Sequence, residues 1–157
     1  MALKRKNGKR DNVKYLIASH GEYAAGLASA VRRLVGENPD VTVLCAYTDE
    51  IPLETHLQKI MKGHEEETWI ILTDLLGGSV NQYMMRSLLK PNCHILAGVN
   101  LELILDVLKL EETDDLAAGL QRCVSEAQSR ICYVNSKVER KRELKTNRQA
   151  YRITVQG

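Results

Sequence analysis

The sequence predicts an α/β protein, an open, doubly wound parallel sheet with helices between its strands. Three observations lead there. Four short runs are almost continuously apolar, Tyr15–Ala18, Val41–Tyr47, Trp69–Thr73 and His94–Val99, as strands buried on both faces are. Each is followed by a longer stretch with apolar residues at helical spacing. This βα alternation, repeated along the chain, requires a parallel sheet with right-handed crossovers.

The first strand runs into Ser19-His20-Gly21, and the helical pattern resumes at Tyr23, which leaves His20 in the turn beyond a strand's carboxyl end. Ligands of open α/β sheets lie there, so His20 is the candidate nucleophile. The following helix, 23–35, turns Ala24, Leu27, Ala28, Val31, Leu34 and Val35 towards the sheet, with Gly36 as its C-terminal cap. The second strand leads through Thr48-Asp49-Glu50 to Pro52, suited to a helix's first turn. Leu53, Leu57, Ile60 and Met61 form the apolar face of that helix and Gly63 closes it. His56 and His64 stand eight residues apart, a spacing that does not pair two ligands on one turn, and both read as surface residues. The Glu65-Glu66-Glu67 run reads as a solvated turn.

The third strand ends in Asp74-Leu75-Leu76-Gly77-Gly78-Ser79, ahead of a helix from Val80 to Leu89 that Pro91 stops. Asp74 is suited to accept a hydrogen bond from one ring nitrogen of His20, fixing the tautomer and leaving the other lone pair to attack. Gly77 and Gly78 let main chain approach an anion, and Ser79 begins a helix whose unpaired N–H groups favour phosphate. Ser79 and Gln82 spell an S-x-x-Q capping box. After the fourth strand, Asn100 caps a helix from Leu101 to Leu110 with Leu101, Ile104, Leu105 and Leu108 facing inward. A last helix covers about 115–130, after a Thr-Asp-Asp start. Ile131–Asn135 (ICYVN) then reads as a short β-like run, an edge strand of this sheet or a strand paired with a second subunit. Near the end, Tyr151, Ile153 and Val155 alternate like a strand within a charged segment.

With 157 residues, 44% of them apolar, the chain suffices for one domain with a proper core and is too short for two ordinary ones. It divides into a basic N-terminal extension (1–12), a core domain (13–135) and a basic C-terminal tail (136–157). The extension carries five basic and one acidic residue and the tail seven and two, which leaves the core at −7. The tails lack aromatic interleaving and any recognised motif, so no nucleic-acid partner is expected. No apolar run approaches the roughly 20 residues of a membrane span. The basic stretch Lys4–Arg10 leads into a core strand and not into a cleavable apolar region, so the expected location is cytoplasmic. Cys45, Cys93, Cys123 and Cys132 contain no C-x-x-C pair, so neither a disulfide nor a metal site is expected, and Cys45 and Cys93 read as buried thiols. Nothing matches a P-loop or a dinucleotide fingerprint, which argues against a kinase using ATP directly, and no cofactor is expected.

Three segments together resemble the IIA component of the mannose-type (mannose/fructose/sorbose) sugar phosphotransferase system over residues 13–135. They are Ser19-His20-Gly21 at a strand end, DLLGGS across Asp74–Ser79, and Ala97-Gly98-Val99-Asn100-Leu101 after the fourth strand. The resemblance implies strand order 2-1-3-4 and a homodimer that exchanges a C-terminal antiparallel strand, which would give Ile131–Asn135 a role. It also implies that His20 takes phosphoryl from the phosphohistidine of the carrier protein HPr and passes it to a IIB component, for sugar uptake and phosphorylation. Asp74 would stabilise the charged ring, and N–H groups around Gly77, Gly78 and Ser79 would hold the phosphoryl oxygens. Membrane IIC and IID subunits would be engaged indirectly. Glu102 and the Leu75-Leu76 pair depart from the family pattern at positions that bear on partner contacts. The basic tail, unlike an Ala/Pro-rich linker, implies a IIA chain separate from its IIB partner. Two other readings compete: the phosphoryl-donor subunit of a dihydroxyacetone kinase, whose loop usually lacks the paired glycines, and a regulatory domain for which phosphorylation of His20 is the signal.

Overall fold

The computed structural model describes residues 12–36, 41–111 and 115–142. The N-terminal extension up to residue 11 and the alternating segment around Tyr151 lie outside these residues. The elements follow in the order β1 (Val13–His20), α1 (Tyr23–Val35), β2 (Val41–Ala46), α2 (Leu53–Met61), β3 (Thr68–Thr73), α3 (Ser79–Leu88), β4 (Cys93–Ala97), α4 (Leu101–Val107) and α5 (Leu116–Arg130). The sheet order is β2-β1-β3-β4 and every pairing is parallel. The chain divides after Ala127 into two compact units, the first of which holds the sheet.

Side-chain alternation along the strands creates two cores, one on each face of the sheet. On one face Val13, Ile17, Ile70, Leu72 and Leu96 pack with Ala24, Leu27 and Val31 of α1, Leu103, Ile104 and Val107 of α4, and Leu120 and Cys123 of α5. On the other, Leu16, Ala18, Leu44, Trp69 and Ile71 meet Leu57 and Met61 of α2 and Val80, Met84 and Leu88 of α3. Residues adjacent in sequence, such as Leu16 and Ile17, therefore belong to opposite cores, which explains why the strands read as unbroken apolar runs. The Asn100 side chain accepts a hydrogen bond from the N–H of Leu103 at 2.9 Å, as a cap should. Asp115 caps α5 through the N–H of Ala118 at 3.3 Å.

Several expectations need correction. The inward face of α4 consists of Leu103, Ile104 and Val107, while Leu101, Leu105 and Leu108 are half-buried. LELILDVLKL is apolar nearly all round, so its pattern alone leaves the helix's rotation open. Leu34 is exposed, whereas Val35, the next residue of the same turn, packs against the core. Cys93 is buried as expected, as is Cys123, whereas Cys45 is half-buried and Cys132 exposed. Ile131–Asn135 does not form a strand: 131–133 are irregular and 134–142 are helical. A strand of that length must find its hydrogen bonds on another strand, whereas a helix satisfies them within itself. The Lys-, Arg- and Glu-rich sequence that follows Ser136 favours the helix.

Candidate functional site

His20 is the last residue of β1, opposite Ala46 in β2. The next residue, Gly21, adopts a left-handed conformation (φ 55°) while its N–H still reaches Ala46 O at 2.9 Å. The chain therefore turns sharply after His20 and keeps it on the last rung of the ladder. The preceding Ser19 is buried, and its Oγ accepts the N–H of Ala24 at 2.7 Å, which ties the first turn of α1 to the end of β1. Tyr23 extends this fastening by donating its hydroxyl to Val99 O at 3.0 Å.

β1 and β3 are in register at Ala18 and Thr73, so Asp74 comes level with Ser19, one residue from His20. Its Oδ2 lies 2.7 Å from His20 Nδ1 and also accepts the main-chain N–H of His20 at 2.8 Å. Oδ1 accepts the N–H of Leu75 at 2.8 Å. Burial pushes the Asp74 carboxyl up, but the N–H and ring nitrogen of His20 and the N–H of Leu75 outweigh it and hold the group below its ordinary value. An ionised carboxylate only accepts, so Nδ1 carries a proton, and in the neutral imidazole Nε2 presents a lone pair. The side chain of His20 is 39% exposed and that of Asp74 11%, so the ring reaches solvent while its partner is shielded.

Nε2 lies 2.9 Å from Ser79 Oγ. Ser79 is the first helical residue of α3 and Gly78 occupies the cap position. The expected capping box is not formed: the Ser79 hydroxyl turns to His20, and Gln82 Nε2 donates to Gly77 O at 2.7 Å. The N–H groups of Ser79 and Val80 thus belong to the helix opening that no side chain caps, and they form the electropositive end of α3.

The two glycines shape this loop. Gly77 has φ 74°, and its N–H donates to Asn81 Oδ1 at 3.0 Å. Gly78 donates its N–H to Leu75 O at 3.0 Å. A Cβ on Gly78 would meet Leu75 Cβ at 3.0 Å and His20 Cε1 at 3.4 Å, so the missing side chain is what lets the loop close on the imidazole. Asn81, itself buried, also donates to Thr73 Oγ1 at 2.9 Å, and Thr73 donates to Leu96 O at 3.0 Å. The loop is thereby fastened to both β3 and β4.

Sequence reasoning missed Tyr47. It follows Ala46, the residue paired with His20, and adopts φ 64°, the one positive φ among the described non-glycine residues. Its hydroxyl donates to Ser79 Oγ at 3.0 Å, and its ring stands 5.6 Å from that of His20 at 38°. Read only as the last residue of an apolar strand, it gave no sign of this. His56 and His64 pair elsewhere: His56 Nε2 with Asp49 at 3.0 Å and His64 Nδ1 with Glu67 at 2.8 Å. Among the described residues no group of three or more His, Cys, Asp or Glu side chains is arranged to hold a metal, and no helix is long and apolar enough to cross a membrane.

The family model described as PTS system fructose IIA component matches residues 14–124, a stretch that contains His20, Tyr47, Asp74 and Ser79. The chain belongs to this IIA family. This IIA component is 26% identical over 119 residues to the sorbose-specific EIIA component of the PTS from Klebsiella pneumoniae, covering 73% of this chain and 88% of that one. Among solved structures it resembles a putative phosphoenolpyruvate-dependent sugar PTS permease from Klebsiella pneumoniae, with a TM-score of 0.75 and 31% identity over 87% of this chain and 99% of the other. It also resembles the PTS IIA protein associated with the fucose utilization operon of Streptococcus pneumoniae, with a TM-score of 0.68 and 25% identity over 81% and 96% of the two chains. The α/β architecture with strand order 2-1-3-4 is thus that of a PTS IIA protein.

Proposed function

We propose that this IIA component is a phosphoryl carrier whose reacting atom is Nε2 of His20. The observation that carries the reading is the split engagement of the imidazole: Nδ1 is held by the Asp74 carboxylate at 2.7 Å, while Nε2 is turned to the Ser79 hydroxyl at the opening of α3. The donor is the phosphohistidine of HPr. Its N–P bond breaks as the bond from Nε2 to phosphorus forms, and the electron pair of the broken bond returns to the donor imidazole. Positive charge that builds on the His20 ring is stabilised by Asp74, at no cost in reorganisation because the pair is already formed. Ser79 Oγ–H and the first N–H groups of α3 meet the phosphoryl oxygens, while Gly77 and Gly78 give the loop the shape that brings those donors close. The reverse sequence delivers phosphoryl to a IIB component, and membrane subunits are served through IIB.

A homodimer belongs to the same reading. In its support, Ile131, Tyr133, Val134 and Val138 expose apolar surface in the segment after α5.

The test is labelling by HPr charged with radioactive phosphoryl. Wild type, His56→Ala, His64→Ala and His94→Ala become labelled and His20→Ala does not; a labelled His20→Ala variant overturns the assignment. Chase with a IIB protein separates a carrier from a regulatory domain, since only a carrier loses its label to IIB.

A further inference from the structure

We infer that Tyr47 is a positioning residue that sets the direction of the Ser79 hydroxyl, and through it the readiness of Nε2. The inference deepens the phosphoryl-carrier reading and rests on it for its kinetic part. The geometry points to a one-way chain of hydrogen bonds. In the neutral imidazole that attacks phosphorus, Nδ1 donates to Asp74 Oδ2 and Nε2 can only accept, so the hydroxyl at 2.9 Å from it is the donor. With its proton committed to Nε2, Ser79 Oγ takes the proton of Tyr47 at 3.0 Å. Tyr47 thus occupies a lone pair of Ser79 Oγ and leaves the Ser79 proton one useful direction, towards the ring nitrogen or a group bonded to it.

A serine hydroxyl with no second partner rotates freely, and at this exposed position water would compete for it. Tyr47 removes that freedom before phosphoryl arrives. After transfer, Nε2 no longer accepts, and a small turn about the Ser79 Cβ–Oγ bond redirects the same proton to a phosphoryl oxygen. Tyr47 follows as donor to Oγ throughout, so the chain keeps its sense in both states.

Two further observations bear on this residue. The backbone of Tyr47 lies in the left-handed region, which is costly for a bulky side chain, and an aromatic residue held there needs a reason. A side chain 62% exposed is not there to fill a core. The ring also stands over His20, with centroids 5.6 Å apart, so strand end and turn together aim both the hydroxyl and the ring at one target.

A double-mutant cycle with a spectroscopic readout tests the inference. Tyr47→Phe keeps the ring and removes the proton, and it slows His20 phosphorylation by HPr several-fold to about tenfold, the scale of one neutral hydrogen bond. In a Ser79→Ala background the same change alters the rate by less than about twofold, because nothing remains for it to orient. The nitrogen-15 shift of His20 Nε2 in unphosphorylated Tyr47→Phe moves towards that of an unbonded lone pair. An equal loss in both backgrounds, no loss at all, or an unchanged shift overturns the inference. If HPr fails to label wild type, the carrier reading falls, and the shift alone decides whether Tyr47 orients Ser79.

Discussion

A single oxygen of Asp74 holds His20 twice: Oδ2 takes its main-chain N–H at 2.8 Å and its ring Nδ1 at 2.7 Å. The carboxylate thereby fixes both the end of β1 and the tautomer of the residue that ends it. In Asp74→Asn an amide oxygen in the place of Oδ2 can accept both bonds, but its NH2 then meets the N–H of Leu75, and the negative charge that stabilises the phosphorylated ring is gone. Phosphorylation of His20 should slow by on the order of 10²-fold or more while the fold persists. Rapid-quench kinetics with labelled HPr make the measurement, and an unchanged rate would show that the pairing has no part in transfer.

The same pairing has a signature in acid. Asp74 titrates below its ordinary value in the folded protein, so its contribution to stability is complete above the unfolded value of about 3.9 and is lost as pH falls through the lowered folded value. Asp74→Asn lacks that contribution at every pH. Urea midpoints of the two proteins should therefore differ by a constant amount at pH above about 5 and converge below about pH 4. Convergence on the alkaline side instead would contradict the sign of the shift.

Gly78→Ala tests the close approach of loop and imidazole. The new methyl would lie 3.0 Å from Leu75 Cβ and 3.2 Å from Leu75 O, and main chain does not yield as a flexible side-chain tip does. A cost of about 1–3 kcal/mol in stability is expected. Because the third contact is His20 Cε1, transfer should also slow more than stability alone accounts for, as read at a temperature where both proteins are fully folded.

Asn81→Ala removes the brace beneath the loop. The N–H of Gly77 loses its acceptor and Thr73 loses a donor, and the expected loss is about 1–3 kcal/mol. Amide hydrogen exchange at Gly77 should accelerate beyond what that global loss explains. Exchange that speeds up only in proportion to global stability would mean the loop is held by other contacts.

Much of this was legible in the sequence, for identifiable reasons. The strands announced themselves because a sheet with cores on both faces leaves no polar side, as Leu16 and Ile17 illustrate. That His20 and Asp74 meet was legible because parallel strands deliver their ends to one edge, and a histidine and an acid at such ends are conspicuous. The partners of Ser79 were not legible: S-x-x-Q is a sound capping signal, and only the fold brings His20 Nε2 close enough to compete for the hydroxyl. Tyr47 was hidden because its role depends on a backbone angle, which an apolar pattern does not encode. The segment after α5 was misread because ICYVN favours a strand locally while the charged run that follows favours a helix. In the structure the helix claims Val134 and Asn135.

The brace from Asn81 through Thr73 to Leu96 has a consequence for recognition. A loop fastened to two strands from below has little room to rearrange when its histidine is modified. On the carrier reading, the phosphorylated and unphosphorylated forms present their partners with one and the same relief and differ in the negative charge at its centre. Leu75 is 61% exposed and Leu76 83%, so an invariant apolar grip stands beside that variable charge. A partner can hold the same two side chains in both states and let electrostatics decide whether it has met a donor or an acceptor.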